Sequence, residues 1–176
     1  PALPPSAPRM PPNALLEAIG RGLLRMGGWR VVGAFPDIPR AVVIAAPHSS
    51  NWDGIWGFAA KLALGLRLSI LGKHSLFRIP LVARFLRWQG VIPVDRSAAH
   101  GLVEQAVDAL RGADCMWYAI APEGTRSKTD HLKTGFYRLA LEAGVPLGLA
   151  FIDYRTKRVG IERWITLSGD EAADLA

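Results

Sequence analysis

Short, continuously apolar runs alternate along the chain with longer segments whose apolar side chains recur every third or fourth position. Ala41 to Ala46 is apolar throughout, as a strand buried on both faces requires. Val91 to Val94, Met116 to Ile120 and Leu147 to Ile152 read the same way, and Leu68 to Leu71 is a shorter case. Helical periodicity fills the intervals at Trp52 to Leu64, Pro80 to Trp88, Ala98 to Leu110 and Leu132 to Ala143. Strands separated by such helices are joined by right-handed crossovers. The pattern therefore predicts an α/β fold with a mostly parallel central sheet flanked by helices on both faces. Arg158 to Leu167 is expected to finish the sheet as a hairpin or a pair of edge strands.

Residues 14–28 form an amphipathic helix in this reading. Leu15, Leu16, Ile19, Leu23 and Met26 share one face, Glu17, Arg21 and Arg25 the other, and Gly27-Gly28 is the stop. Such a helix either packs on the domain or lies in the plane of a membrane with its arginines among the headgroups. The proline-rich residues 1–13 are expected to be a disordered lead, and 14–176 a single domain. No run reaches the ~18 uninterrupted apolar residues of a membrane span, because the best candidate, Gly54 to Gly72, carries Lys61 and Arg67. No charged, apolar, cleavable pattern is read at the front, so no leader is expected.

Composition narrows the partners. Half of the 176 residues are hydrophobic, enough for a core without staples. The lone Cys115 excludes an internal disulfide and suits a reducing, cytoplasmic compartment; preceding a strand with no histidine beside it, it reads as a small buried hydrophobe rather than a nucleophile. No Cys/His spacing suggests zinc, so no metal is expected. A net charge of +6 favours polyanionic partners. Six tryptophans and a mean hydropathy of +0.18 favour a lipid surface over nucleic acid. Between Lys73 and Trp88, Lys73, Arg78, Arg84 and Arg87 are interleaved with Phe77, Phe85 and Trp88, a mixture suited to an interface.

The candidate chemistry sits where apolar runs end. Ala41 to Ala46 breaks at Pro47 into His48-Ser49-Ser50-Asn51-Trp52-Asp53. Val91 to Val94 leads into Asp95-Arg96, and Met116 to Ile120 into Ala121-Pro122-Glu123-Gly124-Thr125-Arg126. If the three strands are parallel neighbours, a base, two arginines and a glutamate converge on one sheet edge, where this fold class opens its sites. His48 and Asp53 suit a general base and the carboxylate that fixes its tautomer, and the hydroxyl it activates can come from a substrate, since no Gly-x-Ser-x-Gly elbow occurs. Ser50 to Asp53 is equally a helix-capping box, and Glu123 with Arg126 equally a surface ion pair. Arg96 and Arg126 can clamp an anion, while Lys73 and Lys133 are secondary candidates.

The order of these segments resembles the glycerophospholipid acyltransferase family. His48 to Asp53 is similar to its first block, Gly90-Val91-Ile92-Pro93-Val94-Asp95-Arg96 to its second, Pro122-Glu123-Gly124-Thr125-Arg126 to its third, and Val145-Pro146-Leu147 to its fourth. Pro47, Ala121 and the stretch Leu132-Lys133-Thr134-Gly135-Phe136-Tyr137 resemble a bacterial branch. The resemblance implies a glycerol-3-phosphate acyltransferase-like fold and transfer of a fatty acyl group from a coenzyme A or acyl carrier protein thioester to the hydroxyl of a lysophospholipid such as 1-acylglycerol-3-phosphate. His48 would be the base and Asp53 its partner. By the same resemblance Arg96, Glu123, Gly124 and Arg126 would hold the acceptor; Thr125, Lys73 and Lys133 are counted beside them as substrate-binding candidates from the sequence alone. The thioester is a co-substrate, no metal or organic cofactor is implied, and the expected location is the cytoplasmic face of the cell membrane. Three alternatives remain at this point: a non-glycerophosphate acceptor such as an amino-acid lipid or specialised metabolite, an acyl-thioester hydrolase, and a lipid-binding module without turnover.

Overall fold

A computed structural model gives the structure of the protein and describes residues 1–45, 51–94, 101–120 and 135–174. The first helix, α1 (Ala14–Gly27), starts where the Asn13 side chain accepts a hydrogen bond from the Leu16 amide. It ends where Gly28 turns left-handed at φ 72° and returns its amide to the last turn. The chain then lays down β1 (Arg30–Val32), β2 (Arg40–Ala45), α2 (Asn51–Leu64) and β3 (Leu68–Lys73). A 3₁₀ segment, His74–Arg78, leads into α3 (Pro80–Trp88) and β4 (Val91–Val94). α4 (Leu102–Gly112), β5 (Met116–Ile120), α5 (Gly135–Ala143), β6 (Leu147–Asp153), β7 (Arg158–Ile165) and the short α6 (Glu171–Asp174) complete it.

Among the described residues the strands form one sheet in the order β1-β7-β6-β2-β5-β3-β4. Every pairing in it is parallel except β6 with β7, an antiparallel hairpin whose register shifts between Leu149 and Ala150. β2 lies in the middle, with Val42 opposite Tyr118 of β5 and Leu147 of β6. Its side chains alternate between the two faces as a pleated strand demands. Val42 and Ile44 meet Ala106, Val107 and Leu110 of α4 and Phe136, Leu139 and Ala140 of α5. Ala41 and Val43 join Trp117, Leu66 and Ile161 on the other side. There α1 and α2 add a third cluster, built from Leu24, Trp29, Ala59, Ala60 and Val159. Helices thus cover both faces, as the apolar runs of the central strands require.

The α1 to α2 contact is close because Gly20 has no side chain: a Cβ there would sit 2.5 Å from the Ala63 amide nitrogen and 2.8 Å from the Ala59 carbonyl oxygen. The helix therefore packs on the domain along one side, while Leu15, Ile19 and Met26 stay exposed on another.

Four expectations change. The proline-rich lead packs against the domain: Leu3, Ala7 and Met10 are buried, and backbone hydrogen bonds run from the Met10 amide to Gly65 and from the Arg67 amide to Pro8. Its proline-fixed backbone carries Leu3 and Ala7 into the cluster that holds Leu66 and Trp117, burial that the composition concealed. Cys115 is exposed rather than buried, in the turn before β5, where its thiol donates to the Ser6 carbonyl at 3.1 Å. Partial desolvation raises the thiol pKa, opposite to what a nucleophile needs. α4 begins at Leu102, after Gly101 in an extended conformation, and the region 98–100 assigned to it lies outside the described residues, as do 132–134 ahead of α5. The tail resolves into β7 alone, and its outer neighbour is β1, a three-residue strand too short to show a period.

Candidate active site

β2, β5, β3 and β4 run parallel, so the ends of β2 at Ala45, β5 at Ile120 and β4 at Val94 point to the same edge of the sheet. β3 stands between β5 and β4, so the three motif-bearing strands share direction without all being neighbours. β6 is parallel to β2, and its end at Asp153 joins the same edge. Active sites of open parallel sheets lie outside these carboxyl ends, beside the strand at which the chain changes direction. Here that strand is β2: the helical crossover through α2 leaves on one side toward β3, and β5 returns through α5 to β6 on the other.

Asp53 stands on the first turn of α2, directly above this edge, and is 2 % exposed. A carboxylate withdrawn from water is costly unless hydrogen bonded or paired. The helix N-terminus favours its negative charge, and the Tyr154 hydroxyl donates to Asp53 Oδ1 at 2.6 Å. Tyr154 follows β6 in the turn to β7. Asp153 organises that turn by accepting from the amides of Arg155 and Thr156 at 2.9 and 3.2 Å and from the Thr156 hydroxyl. These bonds hold the Asp153 carboxyl below its ordinary pKa. The ring of Tyr154 meets Trp29 edge to face at 5.1 Å, and Trp29 stacks on Trp56 of α2 at 5.0 Å. Lys157 donates to the Gly27 carbonyl at 3.0 Å, tying the same turn to the end of α1. The turn, the Trp29 loop and α2 are thereby braced against each other around one buried carboxylate.

Of the residues singled out from the sequence, Asp53 is placed in full. His48, Arg96, Glu123, Gly124, Thr125, Arg126 and Lys133 lie outside the described residues, in the segments that continue from the ends of β2, β4 and β5. Lys73 is the last residue of β3; its side chain is likewise outside the description. Among the described residues no group of three or more His, Cys, Asp or Glu side chains could hold a metal ion, and no helix is long and apolar enough to cross a membrane. Tyr154, Trp29 and Trp56 carry no motif. The signal for Tyr154 was its position directly after a strand predicted to run parallel to the one preceding His48.

The apolar residues that follow the first block in the chain divide between core and surface. Leu62 and Leu66 are buried core, whereas Trp52, Ile55 and Phe58 are exposed along α2. The 3₁₀ segment exposes Leu76, α3 exposes Phe85 and, at 82 %, Leu81, and Ile79 between them is exposed as well. Arg87 lies over the Phe77 ring at 5.6 Å, and Phe85 is 5.9 Å from Trp88. Not all of the tryptophans serve the surface: Trp117 is fully buried, donating its indole N–H to the Ile38 carbonyl, and Trp29 is buried with it.

A family model described as Acyltransferase matches residues 30–148. The chain is 32% identical over 148 residues to the 1-acyl-sn-glycerol-3-phosphate acyltransferase of Borreliella burgdorferi, covering 79% of this chain and 56% of that protein. Against the Escherichia coli protein of the same name it is 27% identical over 128 residues, covering 69% of this chain and 50% of the other. The chain thus spans about half the length of the curated relatives it matches. Among solved structures, the 1-acyl-sn-glycerophosphate acyltransferase PlsC from Thermotoga maritima superposes with a TM-score of 0.64 at 19% identity, covering 92% of this chain and 72% of that one, a likeness of fold.

Proposed function

This chain belongs to the acyltransferase family, and from that premise we propose that it transfers a fatty acyl group from a coenzyme A or acyl carrier protein thioester to the free hydroxyl of a lysophospholipid such as 1-acylglycerol-3-phosphate. The observation that carries the reading is Asp53: a buried, hydrogen-bonded carboxylate at a helix start on the carboxyl edge of the sheet, five residues after His48. In the proposed reaction His48 takes the proton of the acceptor hydroxyl as its oxygen attacks the thioester carbonyl. The tetrahedral intermediate collapses with cleavage of the carbon–sulfur bond, and the thiolate recovers the proton from the imidazolium. Asp53 fixes the imidazole tautomer and stabilises its charged form. Arg96 and Arg126 clamp the acceptor phosphate, with Glu123, Gly124 and Thr125 shaping the loop around it and Lys73 and Lys133 adding positive charge. The proposed reaction calls for no metal or organic cofactor.

Acceptor and product are both amphiphiles, so the reading includes peripheral binding to the cytoplasmic face of a membrane. The exposed Leu76, Ile79, Leu81 and Phe85, flanked by Arg78, Arg84 and Arg87, supply apolar contact and attraction to anionic lipid together. Product analysis by mass spectrometry tests the whole proposal. The protein and its His48→Ala variant are incubated with a long-chain acyl thioester and a panel of hydroxyl acceptors including lysophosphatidate. A diacyl product absent from the variant supports it. A different acylated acceptor changes the substrate, free fatty acid alone means a hydrolase, and no turnover overturns the catalytic reading.

A further inference from the structure

Asp53 can serve His48 only if its carboxylate is held in one orientation, and the group holding it comes from the far end of the chain. We infer that Tyr154 is a positioning residue for the acyl transfer: its hydroxyl bond to Oδ1 fixes the rotamer of Asp53 so that the rest of the carboxylate is presented to His48. This inference rests on the His48 and Asp53 dyad proposed above. Three observations carry it. The bond is short, at 2.6 Å, and is made to a side chain that is almost wholly buried, where a competing water has little access. Tyr154 itself is 44 % exposed, so its hydroxyl reaches inward from a ring that is not needed to fill the core. That ring is in turn fixed edge-on by Trp29, which Trp56 braces from the second turn of α2, the helix that carries Asp53. The contact between Tyr154 and Asp53 joins residues 101 positions apart, brought together because β6 runs parallel to β2 and ends at the same edge.

A tyrosine that merely pinned the β6–β7 turn would look similar, so the test must separate anchoring from positioning. Tyr154→Phe removes one oxygen and keeps the ring on Trp29. Displacing a reacting assembly slightly costs about tenfold to a hundredfold in rate, and the expected result is a fall of that size in kcat, with KM for both substrates unchanged and the thermal midpoint little altered. In the His48→Ala background the same substitution should cost nothing further, because residues acting through one another are not additive. Wild-type kcat in Tyr154→Phe, a rise in KM with kcat intact, or an equal loss with and without His48 overturns the inference while leaving the dyad standing. Full activity in His48→Ala instead overturns the dyad itself, and the inference with it.

Discussion

Gly20 and Gly22 lie two residues apart in the interior of α1, and replacing each with alanine should move stability in opposite directions. Alanine is the better helix former by about 1 kcal/mol, which is the whole effect expected where the new methyl meets nothing. That is the situation at Gly22, where a Cβ has no neighbour within 4 Å. At Gly20 the added carbon would meet the Ala63 nitrogen at 2.5 Å, the Ala59 oxygen at 2.8 Å and the Leu62 Cβ at 2.8 Å. Carbon contacts are comfortable near 3.5–4.0 Å. Two of the three atoms belong to the backbone of α2 and cannot rotate aside, so α1 must lift by about 1 Å along the seam that buries Leu24 against Ala59 and Ala60. Overpacking of this kind costs about 1–3 kcal/mol. Subtracting the propensity gain leaves Gly20→Ala destabilised by up to about 2 kcal/mol, and Gly22→Ala stabilised by about 1. For a domain of this size each kcal/mol shifts the thermal midpoint by about 2–4 °C. Thermal unfolding followed by circular dichroism should show a drop for the first and a rise for the second. Equal rises would mean that α1 is not seated on α2 through Gly20.

Three other outcomes follow from the packing and the titrating groups. Leu110 is fully buried between α4 and the sheet, so Leu110→Ala should lose about 2–5 kcal/mol, read from the denaturant midpoint. Burial, reinforced by Arg67, lowers the Lys61 pKa from 10.5 to about 8, although its ammonium donates to the Gln89 carbonyl and side-chain oxygen at 2.6 and 2.9 Å. Between those two values the unfolded chain binds a proton that the native protein has released, so this group makes stability rise with pH across that window. The rise should be smaller in Lys61→Met when urea unfolding is compared at both ends of the window. Asp174 is held below its ordinary pKa first by the Tyr137 hydroxyl, at 2.7 Å, and also by Ser168. The stability it contributes is present above the ordinary carboxylate range and lost as pH falls through the lowered value; acid unfolding of Asp174→Asn should lack that component.

The sequence by itself determined the units of this protein and the strand ends at which its candidate residues stand. Ala41 to Ala46 is apolar at every position, and only a strand covered on both faces makes sense of that, so the α/β class and the flanking helices were legible from local pattern. Asn13 and Gly28 bounded α1 for equally local reasons, the cap bond and the left-handed turn. Tertiary structure decided what local pattern does not encode. The placement of β2 between β5 and β6 depends on which side each crossover takes, and that choice brings Tyr154 onto Asp53 across 101 positions. Periodicity could not distinguish Gly20 from Gly22, because the difference between them is the backbone of another helix. Nor could composition foresee that Leu3, Ala7 and Met10 would seat a proline-rich segment in the fold. Hydrophobic periodicity records which side of an element turns away from water, whereas the residue it meets there is set by elements far along the chain.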